Sequence, residues 1–233
     1  MALWAIRDLH LSGQTNKQMD KFGELWNNHP QKIKENWERL VKPEDTIVIT
    51  GDVSWGNRFA DSQDDLNFIK QLPGRKIILR GNHCRYWGDV KDTKKLNEMF
   101  KGSLSFLQNN YFTYGDYALI GTKGYCVEYD DITEELAKKR FEREERRMRI
   151  SYEKAKEDGY KKFIMFLHYP PTNKNEKTGV FTELAKEMQV EQVVYSHLHG
   201  YKYNQSVKGV QDGIKYTLVS ADYVNFVPQL ILV

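Results

Sequence analysis

The chain has 233 residues, 40% of them apolar, with 35 basic against 32 acidic side chains and a net charge of +3. That length holds one large domain or two small ones, and that balance is globular rather than disordered or fibrous. The near-neutral charge argues against a dedicated nucleic-acid binder, no apolar stretch approaches the ~20 residues of a membrane span, and Cys84 and Cys126 are too few for a disulfide framework or a zinc ribbon. Arg7 and Asp8 interrupt the apolar N-terminus at once, so no secretory signal is expected. The expected setting is cytoplasmic, with reduced thiols and no membrane partner.

Short β-type runs alternate with helical stretches. Residues 3–6 read as a first strand, and 16–28 and 31–40 as helices, the second with Ile33, Trp37 and Leu40 at helical spacing. Residues 46–50 (TIVIT) are a β-branched strand. Residues 59–72 are helical, with Leu66, Phe68, Ile69 and Leu72 on the apolar side, and Pro73-Gly74 then turns the chain. A strand at 76–79 and a helix at 90–101 follow. Short strands come next at 103–107, 111–114 and 117–121, the last two joined through Gly115-Asp116. Residues 132–158 form the longest helical candidate, rich in opposite charges three or four apart, with a narrow seam of Phe141, Met148, Tyr152 and Ala155. It reads as a solvated helix lying on one layer of the domain, with a cap or dimer helix as the alternative. A strand at 162–167, a helix at 178–187, a strand at 192–195 and a β-rich tail from 207 to 233 complete the chain. The order implies an α/β layered fold with mixed sheets, and no linker divides it into domains.

The histidines organise the chemistry. Of six, His10, His83, His168, His197 and His199 each follow closely on a short apolar strand. Asp8 accompanies His10, Asn82 accompanies His83, and the strand at 46–50 runs into Gly51-Asp52. In open α/β sheets, ligands bind outside the carboxyl ends of the strands, so these side chains are expected to converge. Carboxylates, imidazoles and one amide oxygen suit Mn, Fe or Zn better than Ca or a thiolate site. Asp8, His10, Asp52, Asn82, His168, His197 and His199 are too many for one tetrahedral ion and about right for two ions sharing a carboxylate. His29, before Pro30, is expected to be a surface residue at a helix end.

The ordered set Asp8-Leu9-His10, Gly51-Asp52, Gly81-Asn82-His83, His168 and His197-Leu198-His199 resembles the calcineurin-like metallophosphoesterase family. The resemblance covers essentially the whole chain. It implies a four-layer α/β/β/α sandwich with two mixed β-sheets, as a single domain over residues 1–233 that includes the helix at about 132–158. It also implies that Asp8, His10, Asp52 and His199 hold one metal, and that Asp52, Asn82, His168 and His197 hold the other. A hydroxide would share the bridge with Asp52, and His83 would face the phosphate without binding metal. Mn or Fe is the first expectation for the pair, Zn or Ni the next. Two ions ~3.5–4 Å apart clamp a phosphate and make a nucleophile near neutral pH. The bridging group should be anionic, as Asp52 is, while Asn82 adds a ligand without charge.

Some positions depart from the family pattern. Val53-Ser54-Trp55 stands where many relatives carry a second carboxylate, Cys84 where many carry Asp or Glu, Ser196 where Gly is usual, and Arg7 where a small residue is common. Cys84 reads as a small buried thiol. Arg7 and Arg85 are candidate contacts to substrate phosphate. Trp55, Tyr86, Trp87, Tyr125, Tyr169, Tyr201 and Tyr203 lie near motif loops, as stacking surfaces or as packing. The expected activity is metal-dependent hydrolysis of a small soluble phosphoester, diester before monoester. A nuclease of the same family is the alternative, and a metal-bound scaffold without turnover is the alternative from another class.

Overall fold

Strands form where short apolar runs rich in Val and Ile occur, and helices where apolar residues recur every three or four positions. The computed structural model describes residues 1–90, 92–126, 133–173, 176 and 178–233. In chain order the first elements are β1 (Leu3–Ile6), α1 (His29–Leu40), β2 (Thr46–Ile49), α2 (Gln63–Gln71), β3 (Arg75–Leu79), α3 (Tyr86–Val90), α4 (Thr93–Met99) and β4 (Leu104–Leu107). They are followed by β5 (Tyr111–Tyr114), β6 (Tyr117–Thr122), α5 (Glu134–Glu157), β7 (Lys162–Leu167), α6 (Val180–Glu187), β8 (Gln192–Tyr195), β9 (Gly209–Gln211), β10 (Ile214–Leu218) and β11 (Gln229–Leu232). Two compact units result, the first from Met1–Phe106 with Val219–Val233, the second from Leu107–Leu218.

The first unit is built on a sheet of order β11-β1-β2-β3-β4. β1, β2 and β3 are parallel, while β11 runs antiparallel to β1. All four residues of β2 are buried, as expected of a strand covered on both faces. Ile33 and Trp37 of α1 and Leu66 and Ile69 of α2 pack with Ile47, Ile49 and Ile78 in one core. The Trp37 indole also donates to the Pro73 carbonyl at 2.9 Å, pinning α1 to the turn before β3. Truncating Trp37 to alanine would cost about 3–5 kcal/mol.

The second unit has a sheet of order β5-β6-β7-β8-β10-β9. β6, β7, β8 and β10 are parallel, and β5 and β9 pair antiparallel at the edges. α5 lies on this sheet as a solvated helix. Met148 and Ala155 are buried against it, and Phe141 and Tyr152 pack at the rim of the same core. Its exposed side carries pairs such as Lys139–Glu135 at 2.6 Å. Glu144 is the exception: it is fully buried, and Thr122, Arg143 and Arg147 donate to its carboxylate at 2.6, 2.9 and 2.7 Å. The mixed α/β architecture with two mixed sheets is thus present.

Several expectations need correction. Residues 16–28 form no α-helix but two short 3-10 turns, Asp20–Phe22 and Glu24–Trp26, separated by Gly23 at φ 122°. Within the stretch at 90–101, α4 starts only at Thr93, where Asp92 caps it, its side chain accepting from the Lys94 amide at 2.8 Å. His29 is buried rather than on the surface, edge-on to Trp26 at 5.4 Å and close to Phe226. Residue 132 of the long helix candidate lies outside the described residues. No helix among the described residues is long and apolar enough to cross a membrane.

Candidate metal centre

Parallel pairing decides where the first-unit motifs meet. β1, β2 and β3 end side by side, neighbouring strands lying ~4.8 Å apart. The pairing continues past the strands: the His10 amide donates to the Asp52 carbonyl at 3.0 Å, and the Leu11 amide to the Val53 carbonyl at 2.9 Å. Asp8, His10 and Asp52 have φ of 57°, 44° and 49°. That left-handed conformation is rare for such side chains, and strain of about 1–3 kcal/mol per residue persists where surroundings enforce it, commonly at functional sites. The turns swing the side chains off the sheet edge while keeping them buried, with Asp8, Asp52 and His10 at 0%, 1% and 4% exposure.

These groups touch one another. The His83 amide donates to Asp52 Oδ1 at 2.8 Å, so the third motif loop is tied to the second. His10 Nε2 is 3.6 Å from Asp8 Oδ1. Arg7 Nη2 reaches Asp52 Oδ2 at 3.1 Å and pairs with Asp8. Trp55 stacks on the His10 ring at 4.7 Å and leans on the His83 ring at 4.3 Å, with Lys17 over its own ring. His83 is half-buried, and among the described residues no carboxylate hydrogen-bonds its ring. Behind Trp55, Ser54 donates to the buried Asp65 of α2, whose other oxygen accepts from the Gly13 amide at 2.8 Å. This link fixes the loop that follows Asp52.

In the second unit, β7 and β8 deliver the remaining imidazoles. His168 follows β7 directly and is fully buried. Its amide donates to the Lys123 carbonyl at 3.1 Å. His197 has φ 74° and lies 5.2 Å, ring to ring, from His168. Tyr169 packs on His197 at 4.3 Å and on Tyr125 at 5.8 Å. Ser196, where a glycine is usual, is buried and hydrogen-bonds back to the Leu167 and His168 carbonyls at 3.4 and 3.3 Å. His199 is half-buried at the head of a 3-10 turn over Gly200–Asn204.

Electrostatics separate the roles. Burial first, and the Arg7 charge next, push the His83 imidazole down to about 4, so the ring is neutral near neutral pH. Burial, then the Asp52 charge, pushes the Cys84 thiol up to about 11. Cys84 therefore offers no thiolate, and the donors are oxygen and nitrogen only. Buried carboxylates with imidazoles at strand ends are a donor set of oxygen and nitrogen, which suits a transition-metal ion better than a thiolate site would. Burial also pushes Asp65 up, against the hydrogen bonds from Ser54 and Gly13.

The structure brings Asp8, His10, Asp52 and His83 together in the first unit, with Asn82 beside His83, and brings His168 and His197 together in the second. Arg7 is wholly buried against the carboxylates, whereas Arg85 is exposed, 3.4 Å from Asn57 Oδ1. Tyr86 and Trp87 are core residues, Tyr125 and Tyr169 are buried, and Tyr201 is 88% exposed. Sequence reasoning missed Asp65. Its only signal is an acidic residue on the same helical face as Ile69 and Leu72, four and seven positions on.

The pattern of the family described as calcineurin-like phosphoesterase matches residues 1–201, which run through both units. The gene 66 protein of Mycobacterium phage D29 is 29% identical over 106 residues, 45% of this chain and 51% of that protein. The phage L5 gene 66 protein is 29% identical over 80 residues, 34% of this chain and 38% of that protein. The chain thus spans about half the length of the first of these relatives and less of the second. A protein of unknown function from Aquifex aeolicus shares the fold with TM-score 0.52 at 17% identity, over 98% of this chain and 95% of that one. A Thermus thermophilus protein does so with TM-score 0.52 at 9% identity, over 99% and 97%. From its motifs, its fold and the match over most of its length, the chain belongs to the calcineurin-like phosphoesterase family.

Proposed function

We propose that the chain is a dimetal phosphoester hydrolase acting on small soluble substrates, diesters ahead of monoesters, and working as one domain over residues 1–233. The reading rests above all on the buried cluster of Asp8, His10 and Asp52, held in left-handed turns at the ends of parallel strands. Asp8, His10, Asp52 and His199 would hold one ion, and Asp52, Asn82, His168 and His197 the other, with Mn or Fe the best fit. When bound, such a pair neutralises and polarises the phosphoryl group and lowers the pKa of a water held with it.

The chain's own residues do the rest. Asp52 would be the shared ligand, and its orientation is set from two sides, by the His83 amide on Oδ1 and by Arg7 on Oδ2. Because that amide bonds to Asp52, the His83 loop is tied to the carboxylate that would be shared. His83 donates an N–H bond to a phosphoryl or leaving-group oxygen, where charge develops. Trp55 walls the His10 and His83 rings and restricts water beside them. Arg85, on the surface nearby in sequence, attracts the substrate anion.

The test is hydrolysis of a chromogenic aryl phosphodiester and the matching monoester by the full chain supplied with Mn²⁺, with and without chelator. Turnover abolished by chelator is expected. A metal-loaded protein inert on both esters contradicts the reading and favours the non-catalytic scaffold.

A further inference from the structure

We propose that Arg7 is a built-in counter-charge that holds Asp8 and Asp52 in place when no divalent ion is bound, and that its charge weakens the binding of those ions. The inference rests on the metal-site reading above. Arg7 is 0% exposed, as is Asp8, and Asp52 is 1% exposed. Its guanidinium pairs with both carboxylates, to Asp52 at 3.1 Å. Arginine keeps its charge at any accessible pH, and its planar fork suits two carboxylates at once. Two like charges buried side by side would otherwise repel each other and favour an opened loop.

Arg7 is also locked in place. It bridges to Ser220 in parallel fashion, and the Ala221 amide donates to its carbonyl at 3.0 Å. Its backbone is therefore part of the sheet edge, and a full side-chain swing to a surface phosphate would abandon two buried carboxylates. With Arg7 present, the trio of charges carries one net negative charge rather than two. An arriving dication meets less attraction at this site than at one with a small residue in that position.

The experiment compares the full chain with Arg7→Gln, which keeps hydrogen-bond donors but drops the charge, and Arg7→Lys, which keeps the charge. Each is prepared metal-free, melted, and titrated with Mn²⁺ by calorimetry. Arg7→Gln should bind Mn²⁺ roughly 10- to 100-fold more tightly. Its metal-free Tm should fall by about 5–15 °C. Arg7→Lys should bind within about threefold of the native chain, with a smaller loss in Tm, because charge sets the affinity. Equal or weaker Mn²⁺ binding by Arg7→Gln overturns the proposal, and so does an Arg7→Lys chain whose affinity departs strongly from native. Inorganic phosphate added to the Mn²⁺-loaded proteins checks the rival role: phosphate affinity lost with Mn²⁺ affinity unchanged makes Arg7 a substrate contact and overturns the counter-charge. A native chain that binds no Mn²⁺ fails earlier, on the metal-site reading itself.

Discussion

The two units bring different chemistry to their strand ends. The first supplies both carboxylates of the proposed ligand set, Asp8 and Asp52, with His10, Asn82 and the compensating Arg7. The second supplies His168, His197 and His199 and no carboxylate. On the proposed assignment, attraction for cations would reside in the first unit, whereas the second would add nitrogen donors that favour metals accepting nitrogen. Each unit also carries a buried carboxylate outside that set. Asp65 secures the loop after Asp52 in the first, and Glu144 clamps α5 to β6 in the second. On that assignment one unit would bring the charge, together with an imidazole, and the other imidazole alone.

The sharpest way to break this contrast is Asp52→Ala. It should remove both ions and lower phosphoester hydrolysis by about 10³-fold or more. Elemental analysis of the purified variant checks it, and a retained full complement of metal would sink the bridging role. His168→Ala acts on the imidazole side and should remove one ion of the two, leaving the ion assigned to Asp8, His10, Asp52 and His199 in place. Stoichiometry near one per chain is the expected reading; loss of both would mean that the second unit carries the affinity. His83→Ala should leave metal content unchanged and slow turnover by about 10²–10⁴-fold. An ion lost with His83 would make it a ligand.

The smallest effect belongs to Asp65→Asn. Burial raises Asp65 above the ordinary aspartate value, so the unfolded chain ionises it first and native stability is lost as pH rises through that interval. Removing the carboxyl should flatten that part of the Tm-against-pH curve, change stability near neutral pH by about 1 kcal/mol, and leave the ions bound. An unchanged curve would place the titration elsewhere.

Much of this arrangement was readable from the sequence, for a physical reason. Candidate ligands at strand ends sit within a few residues of the strand that carries them, so TIVI followed by Gly51-Asp52, or KFIMFL followed by His168, declares both the element and the candidate side chain locally. Long-range partners leave no such trace. His29 looked like a surface residue because Phe226, which covers it, lies at the other end of the chain. The pairing of Arg7 with Asp52 and the Ser54–Asp65 bond join different loops and helices, and neither residue type announces it. Residues 16–28 misled because helix-forming side chains surround Gly23, whose φ of 122° no helix accommodates.

The account stands or falls on a shared carboxylate. Electron paramagnetic resonance of the full chain loaded with Mn²⁺ reads that sharing directly, since two ions bridged by one carboxylate couple magnetically. The account predicts an exchange-coupled spectrum that reverts to free Mn²⁺ in Asp52→Ala. A spectrum of isolated, uncoupled ions in the native chain at full loading would contradict it.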